Sequence, residues 1–304
     1  MSLFLRGMAL AAAVVAGPAF GMGQGLKVCL ESGAAPLSSE AREGMDLAVT
    51  RLVADWLGRP LEIVWYEGED DADASPAAQV NGLLSAGLCQ VAAGFPLVSD
   101  ALRAPAPSAP YPLLLPDHSR RFVKLGTLVH SAPYRAVDYR LILGKSAGRP
   151  AVASLDEVKG LRLLAEQNSL ADNLLLAHGG GALRANVIHV PMLKAGVLAA
   201  LDKGDGDAAL VEGPQFDAWR AAHPDSALRD SGYRHSLRVN VGFVALDVRR
   251  GLLELFDEAL ADLLESGDIA AAFERLGYRY EQPVEPVVLP PLTQRLLAPS
   301  EDGP

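Results

Sequence analysis

From Leu26 onward the apolar positions recur with two alternating periods. The runs "LKVCLE" at 26–31 and "LEIVWY" at 61–66 are short, apolar and rich in β-branched and aromatic residues, as strands are. Between them, residues 40–57 place Met45, Val49, Leu52, Val53 and Trp56 on one helical face. After the acidic stretch "GEDDADA", Ser75 and Pro76 mark a helix start. A serine oxygen accepts from a free first-turn N–H, and proline tolerates the position because its missing N–H has no partner there. Residues 89–95, "CQVAAGF", predict a third strand. The order β-α-β-α-β implies a parallel sheet with right-handed crossovers.

The pattern then breaks. Five prolines between Pro105 and Pro116 exclude a central strand or a helix interior, so this stretch predicts an extended loop. A Ser131-x-Pro133-Tyr134 turn follows, and residues 134–143 predict a long strand. A second alternating unit begins near Ser154, with strands at "LRLLA", "NVIHV" and "AALVE". Its helices run from the Ser169 cap to His178, over 194–203 and over 213–222. "RVNVGFVAL" at 238–246 predicts a second long strand, followed by helices at 251–265 and 268–276. Two βαβ halves joined by two long strands predict two α/β lobes with a cleft between them and two hinge crossings. The outbound crossing falls at Tyr134–Leu143 and the return at Arg238–Leu246. The expected division is 25–139 plus 243–280 for the first lobe and 140–242 for the second. A proline-rich C-terminal tail then occupies 281–304.

Composition adds the compartment. Arg6 precedes the apolar run "MALAAAVVAGPAF", and small residues follow at cleavage-like spacing, which predicts a signal peptide over 1–23 and a periplasmic location. The run is too short to span a membrane. Removing 1–23 takes the net charge from −10 to −11. An acidic chain with no basic run lacks the electrostatic footprint of a nucleic-acid partner. Two cysteines, Cys29 and Cys89, lie in the first and third predicted strands. An even pair in an exported chain predicts a disulfide if those strands are neighbours, and two buried thiols otherwise.

Strings that imitate catalytic motifs fail on context. "GKSAG" at 144–148 fits G-x-S-x-G, but Arg149-Pro150 follows where a nucleophile elbow needs a helix. "HGGG" at 178–181 sits at a predicted helix end, where glycine is an ordinary cap. The six histidines have no metal-ligand spacing, and the acidic run 67–73 lacks that of a calcium loop, so neither a metal nor a cofactor is expected.

Several local strings together resemble the family 3 periplasmic solute-binding proteins over about 25–280. They are "EGMDLAVTRLVADWLGRPLEIV", "GLCQVAAG", "HSAPY", "SLDEVKGLRLLAEQNS" and "KGDGDAALVEG". The resemblance implies a type II periplasmic binding fold. The cysteine positions and "LVEGPQFDAW" are similar to one subgroup, the accessory proteins of quinoprotein methanol or alcohol dehydrogenases. By resemblance, Ser169 matches a hydroxyl that holds an anionic group at a helix N-terminus, and Glu212 matches the acid that receives a ligand's amino group. The family's carboxylate-pairing arginine follows a glycine-methionine-threonine segment. Here that segment is Gly94-Phe95-Pro96, and Arg103 is the nearest candidate. Glu31 and Ser32 lie at the mouth of the first strand, so the expected cleft set is Glu31, Ser32, Phe95, Arg103, Ser169 and Glu212. The expected role is binding, as an accessory partner of a quinoprotein dehydrogenase. The alternative is a receptor that delivers an amino acid or similar polar solute to an ABC permease, and a dehydratase on the same fold is a third reading. For the accessory role, Tyr111 and Leu114 would anchor the partner, flanked by prolines.

Overall fold

The structure is a computed structural model and describes residues 25–32, 36–38, 40, 44–68, 75–105, 110–115, 119–167, 169–190 and 196–291. The expected signal peptide and the last part of the tail lie outside the described residues. The first lobe runs β1 (Leu26–Glu31), α1 (Met45–Trp56), β2 (Leu61–Tyr66), α2 (Pro76–Ser85) and β3 (Val91–Pro96). It continues through α3 (Ser99–Leu102), β4 (Tyr111–Leu114), β5 (Arg120–Val123), β6 (Leu128–His130) and β7 (Arg135–Val137). The second lobe holds β8 (Tyr139–Leu143), β9 (Leu163–Glu166), α4 (Leu170–Ala177) and β10 (Val187–Val190). Then come α5 (Gly196–Lys203), β11 (Ala208–Glu212), α6 (Gly213–Ala222) and β12 (Arg229–Arg234). The chain returns through β13 (Val239–Leu246) to α7 (Arg250–Glu265) and α8 (Asp268–Arg275).

Among the described residues the first sheet has the order β2-β1-β3-β13-β6, with β7 also on β13, and the second has β10-β9-β11-β8-β12. β1, β2 and β3 are parallel, as the β-α-β-α-β pattern requires, while β13 runs antiparallel to β3. The predicted strand at 134–143 is split at Asp138. β7 pairs with β13 in the first sheet, whereas β8 pairs with β11 and β12 in the second. One continuous stretch therefore belongs to both lobes. The return crossing lies earlier than expected: Val239 already pairs with Val137 in the first sheet, so the chain changes lobe before 239 rather than at 242. The pattern also missed β12, "RDSGYR", because its few apolar residues carry no strand period.

Three apolar clusters fill the lobes. One packs α1, α7, α8 and α4 around both crossings, a second lies under α2 and β3, and the third packs α5 and α6 on the second sheet. Cys29 and Cys89 are joined by a disulfide with Cα atoms 5.6 Å apart, inside the second cluster. Trp56, expected on the buried face of α1, is instead exposed and donates its indole N–H to Asp262 on α7.

Two corrections concern proline. The stretch read as an extended loop contains the antiparallel hairpin β4–β5, with Pro112 inside β4. Proline is tolerated because this is a separate two-stranded ribbon with open edges. Tyr111 packs against α2 beside Gly82, and Leu113 is fully buried, so the proposed anchor faces its own lobe. Leu114 is half-buried and pairs with Arg120 in the ribbon. The described part of the tail is docked as well. The Asn240 side-chain amide donates to the carbonyls of Val284 and Val287, and Val284 N–H donates back to Asn240 Oδ1. Leu289 is buried against Val98, and Ala136 N–H donates to the carbonyl of Glu281.

Candidate functional site

In open α/β sheets the carboxyl ends of parallel strands form a crevice, because the helices that follow start there with unpaired N–H groups. Here β1 ends at Glu31, β2 at Tyr66, β9 at Glu166 and β11 at Glu212. Ser32 closes the end of β1 against β2, since its N–H and hydroxyl both reach the Tyr66 carbonyl, at 2.7 and 3.1 Å.

On the first-lobe side, the acid in the first turn of α1 is Asp46. It is buried, and no apolar period signals it. Its carboxylate accepts from Arg135 Nε at 3.0 Å, Arg135 Nη2 at 3.2 Å and the Tyr134 hydroxyl at 2.7 Å. Gly94 N–H completes the cluster by donating to the Tyr134 hydroxyl at 2.9 Å. Gly94 has φ +76°, and a Cβ there would sit 2.9 Å from Asp46 Oδ2, so a side chain at 94 would be strained and crowded. Arg135 is 2 % exposed, and its Nη1 has no hydrogen-bond partner. Burial alone would lower the Arg135 pKa. The Asp46 charge and the hydrogen bonds to Asp46 outweigh it and raise it.

On the second-lobe side, Ser169 caps α4 by accepting from Asp172 N–H at 3.1 Å. Its neighbours Glu166 and Leu170, together with Tyr139, Glu212 and Gln215, line a recess of about 290 Å³ including the space open to solvent. Glu212 Oε2 is closed off from water and has no hydrogen-bond partner among the described residues. Burial raises the Glu212 pKa. Arg135 opposes that shift, and Asp46, Glu166 and Asp138 add to it. Burial, with the charges of Glu166 and Asp46, likewise raises Glu31, and burial raises Glu166. Burial and the neighbouring Glu212 carboxylate push the Tyr139 phenol up. The site is thus a set of carboxylates around one neutralised guanidinium.

Of the expected cleft residues, the structure brings Ser169 and Glu212 into one recess, with Glu31 and Ser32 at the facing strand mouth. Phe95 is placed elsewhere, 4 % exposed in the apolar cluster with Leu83, Leu113 and Val244. The alternation of β3 turns its ring away from the mouth because Gly94 occupies the position facing Asp46. Arg103 is also out of place. It is exposed beyond α3 and paired with Asp100 on that same helix. The guanidinium coupled to the site belongs to Arg135. Its signal was available as a charge directly after the Ser-x-Pro-Tyr turn, in a strand that is otherwise apolar. Asp46, Glu166 and Tyr139 were legible only as ordinary helix and strand residues. The serine of "GKSAG" is surface-exposed and donates to Asp207, far from the arrangement a nucleophile needs.

No family model matches the sequence, and no curated protein matches it. Solved structures do. A histidine kinase sensor domain with similarity to periplasmic binding proteins aligns with TM-score 0.61 and 16% identity, over 86% of this chain and 99% of its own. The GluR0 ligand-binding core in complex with L-glutamate aligns with TM-score 0.62 and 18% identity, over 84% and 100%. The L-cystine solute receptor of Neisseria gonorrhoeae, in its unliganded open conformation, gives TM-score 0.54 and 18% identity, over 84% and 93%. With its two sheets, its double crossing and these neighbours, the chain has the two-lobed α/β fold of the periplasmic binding proteins.

Proposed function

We propose that this chain is an exported solute-binding protein that holds a small polar solute between its lobes and acts by binding rather than catalysis. The observation that carries the reading is Glu212 Oε2, a buried carboxylate oxygen without a partner that lines the recess with Ser169 and Glu166. An unsatisfied buried acceptor is costly, so it is tolerated where a ligand supplies the missing donor. Delivery of the solute to an ABC permease is the role this reading implies. The neighbours that are ligand-binding cores or solute receptors support it over an accessory role beside a quinoprotein dehydrogenase. The segment expected to dock such a partner spends Tyr111 and Leu113 on its own lobe.

The test is a thermal-shift screen of the mature protein against amino acids, amines and small alcohols, followed by calorimetry on any hit. A true solute at about 100 times its Kd stabilises by roughly 2.7 kcal/mol, since it binds only the folded form. The reading fails if no small solute raises the melting temperature while a dehydrogenase co-purifies with the chain.

A further inference from the structure

The charge balance of the recess narrows the solute. An α-amino acid brings an ammonium and a carboxylate, so its site needs an acid and, for the carboxylate, either a spare cation or free N–H donors such as those at the start of α4. Of the charged groups coupled to Glu212, the one cation is Arg135, and the others are Asp46, Glu166 and Asp138. Arg135 is not spare. Two of its nitrogens are committed to the Asp46 carboxylate, which also accepts from Tyr134. Its remaining Nη1 can donate to a neutral oxygen, but the charge behind it is already neutralised. Asp138 is likewise spoken for, by Arg140 at 2.7 Å. That leaves Glu212, which is coupled only to the already paired Arg135, together with Glu166 and Glu31, for which no cation coupling is seen among the described residues.

Resting on the reading of this chain as a solute-binding protein, we infer that the cleft takes a cationic amine that carries no carboxylate, with an ammonium group seated on Glu212 and a second positive charge toward Glu166 and Glu31. A zwitterion would leave the surplus of negative charge unchanged and would place its own carboxylate among like charges, which repel it. A diamine, or an alkylguanidine that also carries an ammonium, offsets two of these three negative charges. Its ammonium also gives Glu212 Oε2 the donor it lacks. The Ser169 hydroxyl, which accepts from Asp172 N–H, keeps its own proton for a neutral oxygen or for Glu166. Gln215 and Tyr139 line the same wall and add dipoles without adding charge.

The experiment compares solutes that differ only in the carboxylate: 1,4-diaminobutane against ornithine, and agmatine against arginine, by calorimetry on the mature full chain. The decarboxylated member of each pair is expected to bind at least about tenfold more tightly. Glu212→Gln should lose about tenfold or more of the diamine affinity while its unliganded melting temperature holds or rises. Glu166→Gln should lose less, and Asp46→Asn, where it folds, should narrow the gap within each pair by releasing Arg135 for a carboxylate. Ornithine or arginine binding as tightly as its decarboxylated counterpart overturns the inference and leaves the binding role standing. So does tight binding of an uncharged solute with no response to amines. If none of the four solutes binds, the inference fails, and the binding role is decided by the broader screen.

Discussion

Arg135 and Arg140 lie five residues apart on one crossing, at 2 % and 5 % exposure, yet they are neutralised in different ways. Arg140 shares its guanidinium between Asp138 at 2.7 Å and Asp217 at 2.9 Å. Arg234 approaches the same Asp138 and pairs with Asp230, so the network closes within the second lobe. Arg135 has one carboxylate, Asp46, and a nitrogen with no partner, and it feels Glu212 from the other lobe. Gly213 fits beside the closed network because a Cβ there would lie 2.2 Å from Asp138 Oδ1. Burying a charge is favourable only when partners replace the lost water. The Arg140 guanidinium meets that condition within the second lobe, although Asp138 Oδ1 is itself buried with no hydrogen-bond partner among the described residues. The Arg135 guanidinium meets it only in part, since its Nη1 has no hydrogen-bond partner among the described residues. Arg140 is thus neutralised by carboxylates of its own lobe, whereas Arg135 is coupled to a carboxylate of the other.

The largest expected effect comes from Asp46→Asn, which strips Arg135 of its one charged partner. Removing one member of a buried ion pair costs about 3–5 kcal/mol, measurable by urea denaturation. A loss near zero would mean that Arg135 re-pairs with Glu212, and the contrast between the arginines would collapse. Asp217→Asn should cost less, about 1–2 kcal/mol, because Asp138 still holds Arg140. A loss equal to that of Asp46→Asn would show that the second network is no better satisfied than the first.

Glu212→Gln acts in the opposite direction. Burial raises the Glu212 pKa in the folded state against Arg135, with Asp46, Glu166, Asp138 and the adjacent Tyr139 facing it. The folded protein therefore binds the proton more strongly than the unfolded chain. The ionised form costs stability above the raised pKa, and that cost fades as pH falls through it toward the ordinary carboxylate value. The variant should be more stable than the parent at neutral pH without solute, with a gain smaller than the Asp217→Asn loss that shrinks on acidification. A gain that grows at acid pH would contradict the assignment. Smallest of all is Arg103→Ala. The side chain is exposed and paired only along its own helix, so stability should change by less than about 0.5 kcal/mol and solute affinity should not move.

The alternating periods of apolar residues, the Ser75–Pro76 helix start and the Ser-x-Pro-Tyr turn determined the element order, the parallel first unit and the double crossing. These are properties of short windows, where a residue's burial is set by its neighbours on the same face. The pairing of Cys29 with Cys89 was legible only as a condition, since the β-α-β-α-β pattern leaves open whether the first and third strands are neighbours, and the structure places them side by side. Tertiary structure alone decided the rest. Asp46 reads as a polar residue at a helix start until Arg135, 89 positions away, arrives beside it. Pro112 excludes a central strand, but only the chain's return at Arg120–Val123 turns the segment into a ribbon. The tail reads as unstructured until Asn240 on β13 supplies the amide that holds it. Of the residues named from the sequence, Glu212 and Ser169 line one recess, whereas Phe95 lies in an apolar cluster and Arg103 on an exposed helix end. A strand end or a helix cap carries its position with it. What a side chain faces depends on segments folded in from elsewhere, and for a buried charge that distant partner decides whether it is neutralised or left open to a ligand.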